Sequence, residues 1–247
     1  MNADETPIGP PPFLHLTEPG PPSPPSEPGI LVPPVMTPAR SAPATWRGPH
    51  VQTLTGGHWY SFTPQPEDVR FADLRALSQI NRYGGHTLVP YNDAEHMVRV
   101  ARRVRDLGGT PLQCRGALGH DAHEYVPPAD QLGPFLRAWS SHEACALLGL
   151  TPAAFDGIAE IVQRAKWATR TALDIVDVFA HGPSAALIKQ ADMELLATER
   201  RDLMAQGPVD WGNLPDPLPE RIVPWTSAQA WAEFQAMWES LGGRMPR

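Results

Sequence analysis

The stretch Gly119-His120-Asp121-Ala122-His123-Glu124 sets an imidazole beside a carboxylate, with a second carboxylate one helical turn later. The rest of the chain is expected to fold around it. Pro111 is well placed to open the helix that leads there, because its missing amide costs nothing in a first turn. That helix carries Cys114, Ala117 and Leu118 as apolar residues, delivers His120 and Asp121, and is broken by Pro127-Pro128. Glu124 lies four residues after His120 and three after Asp121, so the three side chains are expected along one side, with His123 available to share it. Ionised groups at the end of an apolar helix are costly to bury without a counter-charge, and a divalent cation is an efficient one. A His-Asp pair alone is more often a polar patch, so it needs partners from other elements.

The nearest upstream helix has clear ends: Asn92 or Asp93 as N-cap, Glu95 in the first turn, and Gly108-Gly109 after the last. Met97, Val100, Ala101 and Val104 form its buried stripe, and Arg99, Arg102, Arg103 and Arg105 take the solvent side. His96 sits at the edge of that stripe, where a lone histidine is more often a hydrogen-bonded core residue than a ligand. Before this helix, Asn81-Arg82-Tyr83-Gly84-Gly85-His86 marks a helix end and loop where a guanidinium, a ring and exposed backbone can meet an anion or a base. A surface arginine and a half-buried tyrosine are the plain alternative. Downstream, a helix from Ser184 to about Met204 has an apolar stripe of Leu187, Ile188, Ala191, Leu195 and Leu196, and Asp192 falls on it. A buried carboxylate there requires Arg82 or Arg200, a helix N-terminus, or a metal. Glu199, Arg200, Arg201 and Asp202 read as a salt-bridged polar face.

The remaining periodicity is also helical. Helices are expected from Pro66 through Ile80, Leu132 to Leu148, Ala153 to Ala168 and Ala172 to Phe179, and from Ser227 onward with Trp231, Phe234, Trp238 and Leu241 as a core stripe. That last stripe reads as packing rather than a stacking platform for bases. Only a short edge strand, His58 to Phe62, interrupts the pattern. The fold class expected is therefore an all-α helical bundle over residues 51–247. Residues 1–50 hold about half of the 30 prolines and read as an extended, polyproline-like arm, either a disordered tail or a docking arm with apolar Ile30, Leu31, Val32, Val35 and Met36.

Composition narrows the function classes. A net charge of -7 argues against a protein that grips polymeric nucleic acid by bulk electrostatics, so any nucleotide partner is a small molecule. No apolar run is long enough to span a bilayer and no secretory leader is legible, so no membrane partner is expected and the expected location is cytoplasm, the host's if the chain is phage-encoded. Cys114 and Cys145 lack paired metal spacing and read as buried free thiols.

Assembled, the order is His96, then His120-Asp121 with Glu124, then Asp192, on separate helices. With Gly84-Gly85-His86-Thr87, Tyr91-Asn92-Asp93-Ala94-Glu95-His96 and the run Ala191-Asp192-Met193-Glu194-Leu195-Leu196-Ala197-Thr198-Glu199-Arg200-Arg201-Asp202-Leu203, this pattern resembles the HD-domain metal-dependent phosphohydrolases over roughly Pro66 to Leu241. In character it is similar to the small 5′-deoxynucleotidases and the phage dATP triphosphohydrolases. The resemblance implies an HD-domain helical bundle with His96, His120, Asp121 and Asp192 as ligands of one divalent transition metal (Mn, Co, Zn or Fe), with room for additional Mg. It implies Glu124 as the residue that positions or deprotonates water, Arg82 on phosphate and Tyr83 beside the nucleoside of a deoxynucleotide. The relatives carry a second acid five residues after the glutamate; here Ala129 stands at that place and Asp130 follows it as the candidate proton donor to the leaving group. A homo-oligomer is expected. The competing reading is a catalytically weak HD-fold scaffold that binds nucleotide or metal and docks a partner through its proline-rich arm. A two-metal oxygenase would need more histidines than His123 beside the pair, and ranks last.

Overall fold

Asn92 starts the central helix: its side chain accepts the Glu95 amide at 3.0 Å, and Asp93 and Glu95 occupy the positive first turn. This helix, α1 (Asp93–Asp106), ends with Arg103 and Arg105 in the last turn. In the computed structural model, which describes residues 47–48, 50–127, 153–208 and 211–247, five further α-helices follow. They are α2 (Pro111–Leu118), α3 (Ala153–Ala172), α4 (Val176–Ala180), α5 (Gly182–Leu203) and α6 (Ser227–Ser240). α1 lies at the centre, in contact with α2, α5 and α6, and α2 also packs on α4. The described residues belong to one unit, Trp46–Arg247. Most of the arm, the helix expected over Leu132–Leu148, Asp130 and Cys145 lie outside the described residues.

The described residues are helix-rich, with one two-stranded sheet: β1 (Val51–Gln52) pairs antiparallel with β2 (His58–Trp59), Val51 opposite Trp59. The strand is shorter than His58 to Phe62. No helix among the described residues is long and apolar enough to cross a membrane. Met97, Val100, Ala101 and Val104 are buried as the periodicity requires, joined by Ala94 and Val98. The aromatic stripe of α6 is core: Phe234 and Trp238 are fully buried and nearly coplanar at 6.2 Å, and Phe71 packs against Trp231, Phe234 and Trp238. α6 is capped by Thr226, one residue before Ser227, through a capping box with Gln229.

Three expected elements differ. The segment from Pro66 is not one α-helix but two 3₁₀ helices, Pro66–Asp68 and Phe71–Ser78. The stretch expected from Ala172 to Phe179 is split, because Asp174 adopts φ 56° between α3 and α4. Most consequential, α2 stops at Leu118. A Cβ on Gly119 would stand 2.5 Å from Ile175 Cδ1, so any larger residue would have to displace that side chain, and Gly119 is the C-cap where α2 ends. His120 and Asp121 therefore sit in a turn and Glu124 in a 3₁₀ segment, Ala122–Tyr125, rather than along one helix face.

Gly116 shows the same tightness inside α2, since a Cβ there would meet Val178 Cγ1 at 2.5 Å and Ile188 Cδ1 at 3.3 Å. Gly116→Ala is expected to destabilise the fold by about 1–3 kcal/mol despite the better helix propensity of alanine. Urea denaturation measures this; a stability unchanged or raised would show that Val178 and Ile188 yield freely.

Candidate metal centre

α1, the turn after α2, and α5 bring His96, His120 and Asp192 together: one ligand atom from each lies within 4.8 Å of the others. Asp192 Oδ1 is 3.4 Å from His96 Nε2 and 4.0 Å from His120 Nε2. Two ligands about 2.1 Å from a common ion are separated by at most about 4.2 Å, so these separations suit joint ligation. His96 and His120 are buried, and each Nε2 faces carboxylate oxygen, Asp192 for His96 and both Asp121 and Asp192 for His120.

The opposite edge of each ring is engaged. His120 Nδ1 lies 2.7 Å from the Ala117 carbonyl, which can only accept, so the proton is on Nδ1 and Nε2 faces the centre. His96 Nδ1 lies 2.7 Å from Glu199 Oε1, again an acceptor. Both rings are thus turned as ligating histidines are, the far nitrogen held by carbonyl or carboxylate. Two imidazole nitrogens with carboxylate oxygen suit a first-row divalent ion.

Asp121 is adjacent rather than central. Its Oδ2 is 3.0 Å from His120 Nε2, but it is not one of the three mutually close ligands. Lys189 holds the other Asp192 oxygen at 2.8 Å from the exposed side of α5.

The charges of the centre hold its carboxylates ionised. Burial pushes the Asp192 and Asp121 carboxyls up, yet the neighbouring imidazoles outweigh it and hold both well below the usual carboxylate range. Burial and the Arg82 guanidinium oppose protonation of His96, but Glu199 and Asp192 overcome them and lift it to about 9. His123 is buried next to this group and burial drives it down to about 3, so it is neutral.

Arg82 and Tyr83 stand behind His96. An isolated bridge between Asn81 and Asn92 ties their turn to the start of α1, with the Arg82 amide on the Tyr91 carbonyl at 2.9 Å. Arg82 is nearly buried, 3.4 Å from Glu199 and 3.7 Å from Asp93. Tyr83 takes φ 59°, unusual for a residue with a side chain, and its hydroxyl donates to Glu199 Oε2 at 2.5 Å. Its ring also meets Trp211 at 5.8 Å. Glu124, the candidate base, is partly buried in the 3₁₀ turn, its amide on the Asp121 carbonyl at 2.9 Å.

Two residues went unseen in the sequence. Glu199 was expected on a polar surface with Arg200, but it is fully buried; burial opposes its ionisation, yet Arg82 and His96 hold it down at about 2. Its spacing of seven from Asp192, through Leu195, was the available signal. Arg170, which falls between the two expected helices but lies on α3, donates to the His120 carbonyl at 3.3 Å while its Nε has no hydrogen-bond partner. Compared with known proteins, the chain matches no family model, and no curated protein is significantly similar to it.

Proposed function

We propose that the chain is an HD-domain metal-dependent phosphohydrolase acting on deoxynucleotides, either a deoxynucleotide triphosphohydrolase with a preference for dATP or a 5′-deoxynucleotidase. The observation that carries this reading is the convergence of His96, His120 and Asp192 from three separate elements with both Nε2 atoms turned inward. His96, His120 and Asp192, with Asp121 beside them, would hold one Mn, Co, Zn or Fe ion, and additional Mg would accompany a polyphosphate. When bound, such an ion supplies Lewis acidity toward a phosphoryl oxygen and lowers the pKa of water toward neutrality.

The residues divide the remaining work. Glu124 takes the proton from the water as its oxygen bonds to the phosphorus next to the nucleoside. The bond from that phosphorus to the 5′ oxygen breaks, and the departing oxygen needs a proton, for which Asp130 is the candidate. Arg82 and Arg170 offer guanidinium charge to the phosphate oxygens, and Tyr83 with Trp211 lines the nucleoside side. Water attack at this phosphorus gives phosphate from a monophosphate and inorganic triphosphate from a triphosphate.

A panel of deoxynucleoside mono- and triphosphates with Mn²⁺, Co²⁺ or Mg²⁺ tests the reading. Release of phosphate or triphosphate is expected, and chelation with excess EDTA is expected to reduce it to background, with Mn²⁺ restoring it. Metal binding without turnover of any member would instead support the scaffold reading; turnover that survives the chelator would remove the metal from the reaction.

A further inference from the structure

Glu199 touches both the candidate metal group, through His96, and the Arg82-Tyr83 turn. One oxygen, Oε1, lies 2.7 Å from His96 Nδ1. The other, Oε2, accepts the Tyr83 hydroxyl at 2.5 Å and faces Arg82 Nε at 3.4 Å. The side chain is fully buried, so its charge is unscreened and every lone pair it directs has a consequence. Tyr83 is in a left-handed backbone conformation, a cost of order 1–3 kcal/mol for a non-glycine residue unless contacts offset it, and its hydroxyl bond to Glu199 is such a contact.

From this arrangement we infer that Glu199 is a positioning residue that fixes His96 as the Nδ1-protonated tautomer with Nε2 toward the metal, and at the same time holds Tyr83 and Arg82 in register with it. The inference rests on the metal-centre reading above. It adds a residue outside the ligand set, and it explains a buried acid with no contact to Asp192 or His120. A carboxylate on the far nitrogen raises the basicity of a ligating imidazole and removes the need to order the ring on binding. Loss of such an outer partner costs about 10–100-fold in metal affinity. Asp93 supplies a second carboxylate to Arg82 at 3.7 Å, so Arg82 keeps a counter-charge when Glu199 is neutralised.

The test is Mn²⁺ binding by calorimetry to the full chain, with no nucleotide present. Glu199→Gln retains shape and can still accept from Nδ1, but removes the charge. It is expected to raise the Mn²⁺ dissociation constant about 10–100-fold with an unchanged far-ultraviolet circular dichroism spectrum. Tyr83→Phe leaves the Glu199 charge and its His96 contact, and is expected to weaken Mn²⁺ less than Glu199→Gln does. A wild-type protein that binds Mn²⁺ together with an unaffected Glu199→Gln variant overturns the role of Glu199 and leaves the metal centre standing. A wild-type protein that binds no divalent ion overturns both. Because the variant can fail to fold, the wild-type protein provides a second readout. Long-range ¹H–¹⁵N spectra of the Zn²⁺-loaded chain, with the His96 signals assigned by their loss in His96→Gln, are expected to show Nδ1 protonated and Nε2 unprotonated with the shift of a zinc-bound nitrogen; an Nε2-protonated His96 overturns the inference.

Discussion

Replacing Glu124 by glutamine is expected to lower turnover by about 10²–10⁴-fold while Mn²⁺ affinity changes little. Glutamine keeps the volume and one acceptor oxygen of the side chain but cannot take a proton from water. The separation of effects follows from where Glu124 stands. It belongs to the 3₁₀ segment Ala122–Tyr125 just past Asp121, and it is not one of the three mutually close ligands. Its backbone amide bonds to the Asp121 carbonyl, so the turn is held by main-chain contacts that the substitution leaves intact. Steady-state release of phosphate or triphosphate, paired with Mn²⁺ calorimetry on the same preparation, measures both quantities. If affinity collapses together with turnover, Glu124 supports the metal rather than the water. If turnover persists, another group takes the proton, and Asp121 becomes the residue to examine.

How much of this was legible in the sequence depended on whether local periodicity decided the structure. For α1 it did: a cap at Asn92, a stripe through Met97, Val100 and Val104, and a charged opposite face leave little choice of orientation. For α6 the same logic held, and Phe234 and Trp238 are core. Asp192, expected to be buried one turn after Ile188 and one turn before Leu196, is only partly so, because its outer oxygen reaches the exposed Lys189. The local structure at His120 did not follow. Residue spacing alone continued the helix through Gly119 to Glu124, whereas α2 ends at Leu118 with Gly119 as its C-cap and the chain goes on in i→i−3 turns, His120 on Ala117 and Ala122 on Gly119.

Glu199 illustrates a different limit. In sequence it stands beside Arg200, Arg201 and Asp202, and Asp202 does pair with Arg201 and Arg221 at the surface end of α5. Charge clustering was therefore right for Asp202 and misleading for Glu199, whose partners, His96 and Tyr83, are 103 and 116 residues away in the chain. A carboxylate's neighbours in sequence say little about burial when its neighbours in space come from another helix. The two buried carboxylates near His96 are separated by function rather than by type. Asp192 faces Nε2, the ligating edge, and Glu199 faces Nδ1, the supporting edge.

That division makes Asp192→Ala the strongest test of the centre itself. Wild-type protein at a Mn²⁺ concentration 100 times its dissociation constant is expected to gain about 2.7 kcal/mol of stability by mass action. For a domain of this size each kcal/mol raises Tm by about 2–4 °C, which corresponds to a rise of about 5–11 °C. Asp192→Ala removes the one oxygen that faces both Nε2 atoms, 3.4 Å from His96 and 4.0 Å from His120. Two neutral imidazoles remain with Asp121 to one side, an incomplete set for a hard or borderline ion. The Mn²⁺-dependent rise in Tm is therefore expected to vanish, together with any Mn²⁺-dependent phosphohydrolysis. Loss of the exposed Lys189 contact is a minor part of this, because a solvent-facing ion pair contributes at most about 1 kcal/mol and has no metal dependence. The comparison of Tm with and without Mn²⁺ within each variant cancels that contribution. A full Mn²⁺ shift retained in Asp192→Ala would place the ion elsewhere in the chain and remove the basis for assigning His96 and His120 to it.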